Sequence, residues 1–204
     1  FIADIKHCQL SINSYLWGCE MLQKKLQEGN VWEYLCQSSG LNKDQVKQGL
    51  MLLMYGTTTN FSKPSQYIQL YETPEITALI HSKEEYMKGI VNLGYAIDAY
   101  ENKVDVNELN LSSRISSISQ SYEFFLLQPL LQHYLDTKDK DTSKTFQILL
   151  YTLDGFIYSC DRRYESGISS FLVDKFRDNA ISNGIFTSIL SGCACADSTG
   201  HSLK

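Results

Sequence analysis

The chain reads as α+β and rich in helix, and three observations say so. Only 3 prolines stand among 204 residues, so few positions force a helix to break. Most of the length carries apolar residues at helical spacing. A few short regions read as strand instead, among them the opening Phe1 to Lys6 and a pair of β-rich runs flanking Asp154-Gly155. Asp-Gly between two apolar runs is a strong hairpin signal.

Each element follows from its local pattern. Phe1 to Lys6 is a short strand that carries Asp4. Gln9 to Gln27 has Leu10, Ile12, Tyr15, Leu16, Cys19, Met21 and Leu22 at spacings that fit one packed helix. Glu28-Gly29-Asn30 breaks it. Val31 to Gln37 is a short helix, and Ser38-Ser39-Gly40 leads into a longer one, Asn42 to Gly56. A polar loop, Gly56 to Asn60, separates this from helical stretches at Ser65 to Tyr71 and Pro74 to about Asn92. Pro74 suits a first helical turn after Thr73. Gly94 to Lys103 reads as a hairpin, Leu111 to Tyr134 as a long helix and Asp136 to Lys144 as a charged linker. Gln147 to Leu153 and Phe156 to Cys160 are the hairpin strands. A helix near Ile168 to Ile181 and a small-residue tail close the chain.

Composition narrows the classes. A hydrophobic fraction of 43% and an aromatic fraction of 12% belong to a folded chain. No apolar run approaches the ~18 residues of a membrane span, and no signal-peptide pattern opens the sequence. The start at Phe1 rather than Met suits a piece of a longer polypeptide with further domains. The 6 cysteines are scattered, which points to reduced thiols in an intracellular compartment. Cys193, Cys195 and His201 fit no standard zinc spacing. A net charge of −5 argues against a generic nucleic-acid surface, though not against an acidic metal site.

Asn42 to Gly56 has two distinct faces. Asn42 and Gln45 form a capping box, and Gly56 stands where a left-handed residue ends a helix. Val46, Leu50 and Leu53 make an inward stripe. Lys43, Lys47, Met51 and Tyr55 step by four along another. Two ammonium groups, an apolar residue and an aromatic in that order suit a triphosphate at one end and a sugar or base at the other. A solvated lysine edge on an ordinary amphipathic helix has the same pattern.

Lysine, seven intervening residues and Tyr-Gly resemble the fingers-helix motif of the family A DNA polymerases and of the related single-subunit RNA polymerases of phage and mitochondria. Lys43 stands where that motif has an arginine. Ala3 to Leu10 resembles the first palm motif, with Gln9 in a glutamate slot. Leu149 to Gly155 resembles the second, with Leu153 for the histidine and Gly155 for an acidic or hydroxyl residue. Gly94-Tyr95 and its hairpin resemble the segment after the fingers. Arg114 and Gln120 resemble residues of a helix that touches template and primer. The motifs span Phe1 to Cys160 in the family's order.

The resemblance implies a palm with a small antiparallel sheet and a helical fingers subdomain within one polymerase-like unit. Residues 1–27 would be palm, 28–92 fingers and 93–204 palm, with the catalytic hairpin near 147–160. It implies DNA-directed DNA synthesis with two Mg²⁺ ions held by Asp4 and Asp154, which should then lie side by side. Lys47 would neutralise the triphosphate and protonate the leaving pyrophosphate. Lys43, Tyr55, Gln9, Met51 and Gly56 would bind the nucleotide, and Arg114 and Gln120 the DNA primer-template. Gln9 leans towards deoxynucleotides, as do the Tyr55–Asp154 spacing and the hairpin at Gly94. Met51 and Gly56-Thr57-Thr58 lean towards an RNA polymerase. A non-catalytic polymerase-like binding or structural module is the reading from another class, warranted by the loss of the histidine (Leu153) and arginine (Lys43), the acidic net charge and a length too short for a full thumb.

Overall fold

The structure, a computed structural model, describes residues 2–56, 64–107, 109–137, 146–152 and 155–192. Strand β1 (Ile2–Lys6) turns into helix α1 (Cys8–Leu16) through His7, whose φ is 56°. Helices α2 (Glu20–Gln27), α3 (Val31–Ser39) and α4 (Lys43–Tyr55) follow. A 3-10 turn at Ser65–Tyr67 leads into the single-turn α5 (Ile68–Tyr71) and the long α6 (Pro74–Leu93). Strands β2 (Tyr95–Ile97) and β3 (Lys103–Asp105) form the expected hairpin ahead of α7 (Leu111–Thr137). Strands β4 (Phe146–Thr152) and β5 (Gly155–Cys160), helix α8 (Glu165–Ser182) and strand β6 (Ser188–Gly192) complete the order. The fold class is α+β and helix-rich, as the periodicity predicts.

Three local expectations need correction. Gln9 to Gln27 is two helices, because Gly18 takes φ +68° and ends α1. Its N–H returns to Tyr15 O and that of Cys19 to Ser14 O, the closing bonds that a left-handed glycine permits. Gly56 is not left-handed: its φ of −59° and ψ of 133° suit any residue. Side chains satisfy carbonyls of α4's last turn instead, Ser112 Oγ at Tyr55 O (3.1 Å) and Lys83 Nζ at Leu53 O (2.5 Å). The small-residue tail begins with a strand, β6, whose partner is β1 at the far end of the sequence. The Asp136 to Lys144 linker falls mostly outside the described residues, as do Cys193, Cys195 and His201.

The chain divides into two units. One comprises residues 1–8 and 123–204, the other 9–122. The first is built on an antiparallel sheet of order β4-β5-β1-β6. Ala3, Phe156 and Tyr158 are buried in it, with Leu172, Phe176 and Ala180 of α8. A β-bulge between Ile148 and Leu150 interrupts the edge strand β4 and leaves Leu149 and Leu150 exposed. Pro129 has no N–H for the carbonyl four residues earlier. Asn179 Nδ2 of α8 donates to that carbonyl, Phe125 O, at 3.2 Å, and to Leu126 O at 3.1 Å.

The second unit packs α1 to α6, the β2–β3 hairpin and the start of α7 around Leu10, Ile12, Leu22, Leu35, Leu50, Leu53, Leu70, Tyr71 and Ile76. Gly49 of α4 lies close to Leu70 and Tyr67. A Cβ there would lie 2.8 Å from Leu70 Cδ2 and 3.1 Å from Tyr67 Cδ1. A side chain there would have to displace Leu70 or the Tyr67 ring.

Candidate active site

The start of helix α4 is fixed by its own sequence. Asn42 Oδ1 accepts from Gln45 N, and Asn42 N donates to Gln45 Oε1, both at 3.0 Å. This capping box satisfies donors that the first turn leaves open. Val46, Gly49, Leu50, Leu53 and Met54 face inward. Lys43, Lys47 and Met51 are exposed and Tyr55 is half-buried, so the second stripe stands clear of the core. Among the described residues, neither Lys43 nor Lys47 forms an ion pair.

A pocket of about 610 Å³ opens on that side of α4, lined by Lys47, Gln48, Met51, Leu52, Tyr55, Gly56 and Tyr67. Its walls are mainly apolar and aromatic, and among the described lining residues the Lys47 ammonium is the one formal charge. Such a surface suits a ligand with a flat apolar part and an anionic part. Four of the sequence-derived candidates, Lys47, Met51, Tyr55 and Gly56, line it together; Lys43 does not. Sequence reading missed Gln48, Leu52 and Tyr67. Gln48 and Leu52 each follow a stripe residue by one position, so a wider stripe would have included them. Tyr67 comes well after the end of α4 in sequence and carries no local signal. Its hydroxyl donates to Gln48 Oε1 at 3.2 Å.

Tyr55 is anchored from inside the same unit. Its hydroxyl oxygen lies 3.3 Å from Asn13 Nδ2 of α1. Gln9, near the start of α1, is half-buried. Its Oε1 is shielded from solvent and has no hydrogen-bond partner among the described residues. An amide acceptor buried without a partner is costly, and Gln9 is not among the described residues that line the pocket.

In the sheet, Asp4 is paired with Gly155 across β1 and β5, and with Leu190 across β1 and β6. The residue paired with Asp4 is thus the one that follows Asp154 in sequence. Asp154 lies outside the described residues, and at Asp4 the description covers the backbone alone. The separation of the two carboxylates is therefore not among the described geometry. Two carboxylates are hard oxygen donors, the chemistry that Mg²⁺ takes, and the register sets Asp4 against the strand that begins just after Asp154. Among the described residues no group of three His, Cys, Asp or Glu side chains gathers into a metal site.

Arg114 and Gln120 are both exposed on α7. Six residues of helix put them about 120° apart around the axis, so they do not share one stripe.

The chain has a polymerase-like fold. It matches the POL domain of Pol1 from M. smegmatis, solved in complex with DNA primer-template and dNTP, with a TM-score of 0.71. Identity is 11%, and the match covers 93% of this chain and 38% of that one. At that identity the likeness is one of fold. No family model matches the sequence, and no curated protein does. No helix among the described residues is long and apolar enough to cross a membrane.

Proposed function

We propose that the protein carries out template-directed nucleotidyl transfer, as a DNA-directed DNA polymerase of the family A type acting inside a cell on a DNA primer-template and nucleoside triphosphates. The register of Asp4 against Gly155 carries the reading: in a polymerase-like fold it brings the first palm-like motif onto the strand that follows the second. In this reading Asp4 and Asp154 hold two Mg²⁺ ions. The metal pair, when bound, lowers the barrier by stabilising charge on the transferred phosphoryl group. Lys47 pairs its ammonium with the triphosphate and hands a proton to the departing pyrophosphate. Met51 and Tyr55 give the sugar and base an apolar and aromatic wall, with Gly56 at its end. Lys43 adds positive charge near the phosphates. Gln9 lies beneath the sugar. Arg114 and Gln120 contact the duplex.

Met51 in the pocket lining favours a second reading, a single-subunit RNA polymerase. Primer extension with deoxy- and ribonucleotides, with and without Mg²⁺, separates these from a non-catalytic module. Extension should need Mg²⁺, favour deoxynucleotides and fall by orders of magnitude in Asp4→Asn. Lys47→Ala should lower nucleotide affinity and turnover together while the thermal midpoint holds, since its side chain is outside the core. No extension by a folded wild-type protein, or full turnover in either variant, overturns the proposal.

A further inference from the structure

Tyr55 ends α4 and is gripped at both of its polar ends. Ser112 Oγ of α7 donates to its carbonyl oxygen at 3.1 Å. Its hydroxyl meets Asn13 Nδ2 at 3.3 Å. Asn13 is itself held, because Ser119 Oγ of α7 donates to its Oδ1 at 2.7 Å. Ser112 and Ser119 are seven residues apart, two helical turns, and so lie on one face of α7. Asn13 and Ser119 are fully buried. Met54 Sδ lies 3.4 Å from Asn13 Nδ2. Sulfur accepts weakly and cannot donate here, which favours the amide nitrogen, not the oxygen, on the α4 side.

Two helices therefore converge on Tyr55, α1 at its ring hydroxyl and α7 at its backbone carbonyl. We propose that Asn13 is a positioning residue: oriented by Ser119, it holds the Tyr55 ring in place as a wall of the nucleotide pocket without touching the nucleotide. The inference rests on the polymerase reading for the identity of the ligand, not for the hold on the ring.

The test uses 3-fluorotyrosine placed at position 55 alone, read by ¹⁹F NMR, together with dNTP dissociation constants on a primer-template complex in Mg²⁺. Asn13→Leu removes the amide at similar size, and Ser119→Ala removes what orients it. Both should shift or broaden the fluorine signal. Both should weaken dNTP binding roughly fivefold, the weight of one hydrogen bond. In a Tyr55→Phe background Asn13→Leu should cause no further loss, whereas a purely structural role would persist there. If Asn13→Leu fails to fold, Ser119→Ala tests the same chain of bonds. An unchanged fluorine signal in a folded variant overturns the hold on Tyr55. A shifted signal with unchanged dNTP affinity overturns the role in binding. If the wild type binds no dNTP, the polymerase reading fails, and the fluorine signal alone upholds or overturns the hold.

Discussion

Lys83 Nζ of α6 lies 2.5 Å from the carbonyl oxygen of Leu53, inside the last turn of α4. The lysine is 5% exposed, and its ammonium stands 5.7 Å from the centre of the Trp17 ring. A cation there complements the carbonyl end of the helix dipole. Burial nevertheless dominates and pulls its pKa down to about 8 from 10.5, with Glu84 opposing.

The sign of the pH dependence follows. Between pH 8 and 10.5 the unfolded chain holds this proton and the native chain has lost it, so stability rises with pH through that window. The shift corresponds to at most about 3 kcal/mol. Tyr71 and Tyr86, pushed up to about 12 by burial, act oppositely as pH climbs past 10. Comparing denaturation of wild type and Lys83→Met at each pH cancels them. The stability difference should move in favour of wild type between pH 8 and 10.5. A constant difference would show that Lys83 titrates normally.

Gly49 makes a second stability prediction. Its carbonyl accepts the buried Tyr71 hydroxyl at 2.9 Å, and a Cβ would press on Leu70 and Tyr67. Overpacking of this kind costs ~1–3 kcal/mol, more than alanine's better helix propensity returns. Gly49→Ala should therefore lower the denaturation midpoint. Tyr67 lines the pocket, so ligand affinity should fall with it. A variant as stable as wild type would mean that Leu70 yields freely.

Sugar choice tests Gln9. Packing against one hydroxyl discriminates by only ~10²-fold. The Gln9 Oε1, which has no hydrogen-bond partner among the described residues, can also accept a hydrogen bond from a ribose hydroxyl and so soften the rejection. The expectation is modest deoxynucleotide selectivity, with Gln9→Gly admitting ribonucleotides at little loss of deoxynucleotide use. The measurement is the kcat/KM ratio for the two sugars in both proteins. A wild-type ribonucleotide preference would favour RNA synthesis, and an unchanged ratio in the variant would remove Gln9 from the site.

Helix α4 shows what the sequence by itself determined. The Asn42–Gln45 box, the inward Val46, Leu50 and Leu53, and the outward lysines all follow from spacing within 15 residues, because capping and helical period are local properties. The Asp-Gly signal likewise marked the β4–β5 hairpin. Other features depended on partners distant in sequence. Nothing near Gly56 shows that Lys83 and Ser112 satisfy the last carbonyls of α4, so the glycine looked like a left-handed cap. Strand β6 reads as a tail until β1 supplies its hydrogen bonds. Tyr67 joins the pocket, and Asn13 reaches Tyr55, only through packing between helices. Tertiary structure decided these because a side chain's partner is set by which surfaces bury together, and sequence periodicity identifies a buried face without naming what covers it.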